Sequence, residues 1–194
     1  MHGMPDTLLS VALGIGLAAA CGLRVFLPLF VSSVLAHFDL GGFGLREGFG
    51  WLAEWPAMIA LGTATLAELL AYYIPFLDHA LDVVAVPLSA AAGTLAAIST
   101  MADLPPMLSW GLALIAGGGL AGLISTGTAA TRVASTTTTA GLGNPVIATA
   151  ETGGAAALSL LAWSFPVLAL LAVGVLLWLV VRWLLGGRGK PPAS

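Results

Sequence analysis

The sequence predicts an all-α fold: a polytopic membrane protein of about six transmembrane helices. Three observations carry this. Of 194 residues, 59% are hydrophobic and only 8% charged, with a mean hydropathy of +1.03; no water-soluble domain can solvate so much apolar surface. At roughly 20 residues per helical crossing, the length accommodates about six. The apolar runs lack the dyad alternation of barrel strands, so helices must satisfy the backbone within the lipid.

The first span is expected from Thr7 to about Phe38. Helix of that length measures roughly 45 Å, more than a hydrocarbon core of roughly 30 Å. Arg24 and Pro28 in its second half predict a kink or a break. The stretch "DLGGFGLREGFG" (39–50) is glycine-rich loop, and Trp51 and Trp55 open a second span at the membrane interface. That span runs to about Tyr73, where Pro75 ends it. A third covers roughly 83–100, and "MADLPP" (101–106) is a loop. The fourth runs from near Leu108 to about Thr137 and is rich in Gly, Ser and Thr. Its Gly118 and Gly122 have the spacing at which helix backbones approach closely. A turn at "AGLGNP" (140–145) leads into a fifth span to about Trp163, and "SFP" leads into the sixth.

The halves resemble each other. "CGLRV" (21–25) matches "AATRV" (129–133), and "TATLAE" (63–68) matches "VIATAE" (146–151). "LLAYYIPFL" (69–77) can be set against "LLAWSFPVL" (160–168). The expected organisation is therefore an inverted repeat: a three-helix half at 1–104, a second at 105–186, and a disordered tail at 187–194. Arg182, Arg188 and Lys190 place the C-terminal end in the cytoplasm, and an even number of crossings places the N-terminus there too.

Other classes fall away. Six Lys and Arg and a net charge of −3 exclude a nucleic-acid surface. The single cysteine, Cys21, makes no internal disulfide and reads as a small packing residue. "LAAACG" (17–22) looks faintly like a lipoprotein cleavage box, but the preceding residues lack the Lys or Arg that such a signal needs. With no nucleophile–His pair and no metal-binding helix motif in the spans, neither an enzyme nor a cofactor is expected. The expected partners are the lipid bilayer and a second copy of the chain, docked through small-residue helix faces.

"GLR" early, "AELLAYYIPFLDHALD" (67–82) in the middle and "ATRV…NPVIATAE" late resemble the bacterial membrane-protein family called domain of unknown function 4126, from about Leu8 to about Leu170. The resemblance implies a small multispan protein of the bacterial inner membrane and brings no activity with it. Members of that family often carry Asp-Lys where this chain has Tyr72-Tyr73, Lys near Thr128, and Asp where Thr152 stands.

Charges within a bilayer are costly and face the bundle interior, paired. Arg24, Glu68, Arg132 and Glu151 are such residues. Counting along the spans puts Glu68, Arg132 and Glu151 in one layer near the cytoplasmic side, with Arg24 nearer the middle or the outer half. Glu68 is expected to face Arg132, with Glu151 nearby. Two readings stay open: ion pairs that only fix helix packing, or a gated polar pathway that also passes Thr128 and Asn144. The hydroxyls of the fourth span either line that pathway or bond their own helix. Asp78, His79 and Asp82 form an acidic surface cluster, too poor in ligands for a metal. Tyr72 and Tyr73 read as interfacial aromatics. The functional expectation is a small transporter or channel-like protein with a polar pathway between the two halves and an unknown substrate. Arg24 and Arg132 favour a proton-coupled anionic solute or lipid headgroup over a cation. The alternative is a non-transporting scaffold or assembly protein whose buried Arg-Glu pairs are structural.

Overall fold

In the computed structural model, residues 4–40, 42, 44–72, 74, 77–101 and 104–186 are described, and every regular element among them is helical. The chain begins with α1 (Met4–Leu23), breaks at Arg24–Phe26 and resumes as α2 (Leu27–His37). Pro28 stands in the first turn of α2, where proline's fixed φ and missing N–H suit a helix start. It therefore marks a new helix, not a kink within one.

After a loop and a short 3-10 turn (Gly50–Ala53) come α3 (Trp55–Ala71) and α4 (Leu77–Thr100). Next is a rod of 34 residues, Pro106–Thr139. It consists of α5 (Pro106–Leu112), a π-helical stretch (Ala113–Gly118) and α6 (Gly119–Thr139). The chain ends with α7 (Asn144–Ser164) and α8 (Pro166–Gly186). The expected tail at 187–194 lies outside the described residues.

By length and composition, four described stretches can cross a membrane: Asp6–Leu23, Leu81–Thr100, Pro106–Thr139 and Asn144–Ser164. Leu27–His37, Trp55–Ala71 and Pro166–Trp178 are apolar but shorter. Of the expected spans, the first is thus two helices.

Those two helices form a hairpin. Gly16 and Ser32 are equidistant in sequence from Arg24. Gly16 packs on Ala162, while Ser32 accepts a hydrogen bond from Trp163 Nε1 at 3.0 Å. Both therefore lie at one level of α7, and the chain reverses between them. Helix α3 then returns antiparallel to α2: Gly62 sits against Phe30, and Ser33 Oγ donates to the Leu52 carbonyl at 2.6 Å. The loop before α3 is tied to the end of α4, where Arg46 N–H donates to the Ser99 carbonyl at 2.7 Å.

Helix α1 is the axis of the bundle, packing along α4, α6, α7 and α8. The two expected halves therefore share one core, with Leu13, Leu17, Cys21, Val25, Ala121 and Trp163 within it. Small residues let the backbones meet. A Cβ on Gly93 would lie 2.5 Å from Ala121 Cβ and 2.9 Å from the Gly117 carbonyl, and one on Gly22 would lie 2.6 Å from Ile124 Cβ. Gly118 serves the same crossing, whereas a Cβ on Gly122 would meet only Ala90, at an ordinary 3.6 Å.

Two consequences correct the sequence expectation. The matched segments "CGLRV" and "AATRV" do not sit in oppositely directed helices. Ala18 and Ala121 flank Gly93, and Gly22 packs on Ile124, so α1 and α6 run the same way. The hairpin also adds a reversal. Ala169 packs on Gly16 and Val173 clusters with Ala19, so α8 runs in the direction of α1. The first turn of α1 and the last turn of α8 therefore lie at opposite ends of the bundle, not at the same end.

Candidate functional site

The hairpin apex is where the charges meet. At the break, the backbone N–H groups of Val25 and Phe26 have no helical acceptor. Glu68, one turn from the end of α3, supplies it: Oε1 accepts from Val25 N–H at 2.8 Å and Oε2 from Phe26 N–H at 3.1 Å. A carboxylate so placed also meets the positive end of the α2 dipole. Glu68 is buried. Its hydrogen bonds go to the hairpin backbone, not to Arg132 as expected.

Arg24 turns into the bundle with 1% of its side chain exposed. Its Nε donates to Thr152 Oγ1 at 3.0 Å and its Nη2 to the Ala148 carbonyl at 2.7 Å, both on α7. Nη2 also lies 3.6 Å from Glu151 Oε2. Arg24 thus belongs to the same layer as the other three charges, and the expectation that it sits farther along the span is corrected. Counting residues along one straight helix carries Arg24 past the layer, whereas the hairpin makes it the turning point. Thr152 supplies a neutral acceptor.

Arg132, on α6, joins three helices. Its Nη2 donates to Glu151 Oε2, and its Nη1 donates to Asp82 Oδ1 at 2.6 Å. Asp82 was expected in a solvated surface cluster. Here it faces inward with 13% of its side chain exposed, because the first turns of α4 lie against α6. The side chains of its expected companions, Asp78 and His79, lie outside the described residues. Tyr72, buried rather than interfacial, sets its ring against both cations: the Arg24 and Arg132 guanidinium carbons are 4.2 and 3.9 Å from the ring centroid. Such contacts are worth about 2 kcal/mol when desolvated.

The cluster is crowded but not fully bonded. Arg24 Nη1, Arg132 Nε and Glu151 Oε1 are buried and find no hydrogen-bond partner among the described residues. Buried polar atoms of this kind are uncommon.

The remaining expected site residues stand apart. Thr128 donates to the Ser125 carbonyl of its own helix at 2.9 Å. Thr131, Thr136, Thr137, Thr138 and Thr139 bond back in the same way. Asn144, at the start of α7, donates to Thr136 Oγ1 at 3.0 Å, near the bundle end. Beside the cluster, between the start of α2, the end of α3 and the start of α4, lies a cleft of about 330 Å³. Val25, Phe26, Glu68 and Tyr72 are among its lining.

Fold and site together define an all-helical membrane protein whose broken first span delivers a backbone reversal and an arginine to a buried ion cluster. No curated protein and no solved structure matches the chain. A family does: the chain belongs to the family described as Domain of unknown function (DUF4126), which matches residues 11–185.

Proposed function

We propose that the chain is a small membrane transporter or channel-like protein, that its pathway passes the Arg24–Glu151–Arg132 cluster, and that its substrate is anionic, moved with a proton. One observation carries this reading: a chain reversal within an apolar bundle, whose exposed N–H groups are held by a carboxylate. Backbone that leaves the helix at membrane depth is tolerated where protein buries it or it lines a cavity. Transporters use the N-termini of broken helices to hold anionic groups. Two arginines stand at the same place, Arg24 facing Glu151 and Arg132 facing both Glu151 and Asp82. Glu68 and Glu151 are the proton carriers in this reading.

The membrane is the bacterial inner membrane. The basic C-terminal end faces the cytoplasm, and the extra reversal at Arg24 puts the N-terminus on the other side. A crossing by α1, a shorter hairpin of α2 and α3 that re-enters the bundle, and crossings by α4, the Pro106–Thr139 rod, α7 and α8 replace six crossings in two inverted halves. A second reading is a scaffold whose ion pairs are structural. It is favoured by the hydroxyls of α6, which bond their own helix and provide no polar file.

Flux in proteoliposomes separates the two. With a pH-sensitive dye inside and a panel of anions outside, wild type is expected to move protons or an anion. Arg132→Gln and Glu68→Gln, checked first for folding by melting in detergent, are expected to be silent. Silent wild type, with variants that only melt earlier, supports the scaffold and defeats transport.

A further inference from the structure

The ion cluster does not balance its own charge, and the imbalance falls on one side chain. Around Glu151 on α7 stand Arg24 at the hairpin apex, Glu68 and Tyr72 at the end of α3, Asp82 on α4 and Arg132 on α6. Two arginines against three carboxylates leave one negative charge in excess. Within a bilayer such an excess is costly, and a proton on one of the three acids removes it.

Hydrogen bonding singles out the acid. Glu68 accepts a backbone N–H through each of its oxygens, so a proton on either would face a donor. Asp82 accepts from Arg132 and is 13% exposed against 7% for Glu151, so its charge is better solvated. In Glu151, Oε2 alone faces both arginines, while Oε1 is buried with no partner among the described residues. Two donors are idle in the same place, Arg24 Nη1 and Arg132 Nε, in residues each 2% exposed.

We infer that Glu151 and a small monovalent anion take turns on Arg24 and Arg132: a proton on Glu151 lets the neutral carboxyl swing off the guanidinium groups, and the anion takes its place. This rests on the transporter reading; it narrows the proton carriers to Glu151 and the substrate to a monovalent anion. The idle atoms are buried, so the ligand is little larger than the carboxylate it replaces. Charge sets the coupling. An anion entering beside an ionised Glu151 would double the excess negative charge, whereas an anion entering with a proton leaves the ionised total unchanged. Anion and proton therefore travel together with no net charge moved. A divalent anion is rejected, since one proton does not offset it.

The test compares the full-length wild type with Glu151→Gln, using sodium chloride and sodium formate as probes and sodium sulfate as control. In detergent, chloride is expected to raise the wild-type melting temperature at low pH and to lose affinity as pH rises, by up to about tenfold per unit. Glu151→Gln, fixed in the neutral form, is expected to melt lower yet bind chloride equally at every pH. In proteoliposomes wild type is expected to move about one proton per anion, at a rate unchanged by a potassium–valinomycin voltage. Glu151→Gln should carry the anion without the proton and respond to that voltage. Wild-type chloride affinity that ignores pH overturns the inference, as does sulfate binding equal to chloride or a Glu151→Gln protein that still loses chloride as pH rises. Should Glu151→Gln not fold, the pH dependence and voltage response of wild type decide the matter. Voltage-driven anion flux without protons removes this exchange and leaves the transporter reading; pH-linked chloride binding without flux does the reverse.

Discussion

Glu151→Gln isolates the centre of the ion cluster. In wild type one oxygen, Oε2, faces both the Arg24 and the Arg132 guanidinium, and Glu151 is buried. Glutamine keeps the volume and removes the charge. Arg24 then retains Thr152 and the Ala148 carbonyl, and Arg132 retains Asp82, but two cations share one facing carboxylate. Breaking a buried ion pair costs about 3–5 kcal/mol. The lower end applies, since partners are also found in the membrane-embedded unfolded state. At roughly 2–4 °C per kcal/mol for a chain of this size, the variant should melt about 6–12 °C lower in detergent, followed by tryptophan fluorescence. Arg132→Gln should cost more, because it also removes the Arg132–Asp82 bond. The double variant should cost little more than the worse single, a coupling of about 2 kcal/mol. Additive losses, or a Glu151→Gln protein melting within about 2 °C of wild type, which is under 1 kcal/mol on that scale, would show that Glu151 does not hold the arginines together.

Three further outcomes follow from the same geometry. Tyr72→Phe keeps the ring but removes the hydroxyl that bonds Arg132 and should cost about 1.5 kcal/mol, whereas Tyr72→Leu should lose about 2–4 kcal/mol more from two cation–π contacts, read in the same melt. Asp82→Asn should destabilise by about 2 kcal/mol as a buried partner of Arg132; a loss under about 0.5 kcal/mol, the size of an ordinary surface change, would return Asp82 to the surface. Gly93→Val brings side-chain atoms against Ala121 and the Gly117 carbonyl. It should cost at least about 3 kcal/mol by overpacking, seen as loss of the monodisperse peak in size-exclusion chromatography.

Much of this was legible in the sequence. Composition gave the class, and the four charges that later converge stood out because a charge in an apolar run must find a partner. Depth along the spans puts Glu68, Arg132 and Glu151 in one layer but does not choose between partners, and the Arg132 pairing falls to Glu151 rather than to the expected Glu68. Other features depended on tertiary structure. The reversal at Arg24–Val25–Phe26 contains neither Gly nor Pro, so no local turn signal announces it; its N–H groups are satisfied by Glu68, more than forty residues away. Pro28 left a kink and a break both open, because proline inside a long apolar run and proline in a first helical turn look alike; the break is what forms. Asp82 and Tyr72 flank a connection between two spans, where solvated and inward-facing positions share one composition. Only the packing of α4 on α6 and the reach of both arginines decide their side. The small-residue crossing was anticipated at Gly118, but Gly93 and Gly22 are known as contacts only once α4 and α1 are in place.

The ion cluster depends on the hairpin, which brings Arg24 and the α2 N-terminus to Glu68. Leu8 and Phe38, both exposed, report on it directly as spin-label sites in a Cys21→Ala background. A single continuous helix would separate them by about 45 Å. The hairpin places both at one end of the bundle, within about two helix spacings, ~20 Å. Double electron–electron resonance in nanodiscs should therefore give a distribution centred near or below that distance. A peak near 45 Å would contradict the hairpin, and the assembled site with it.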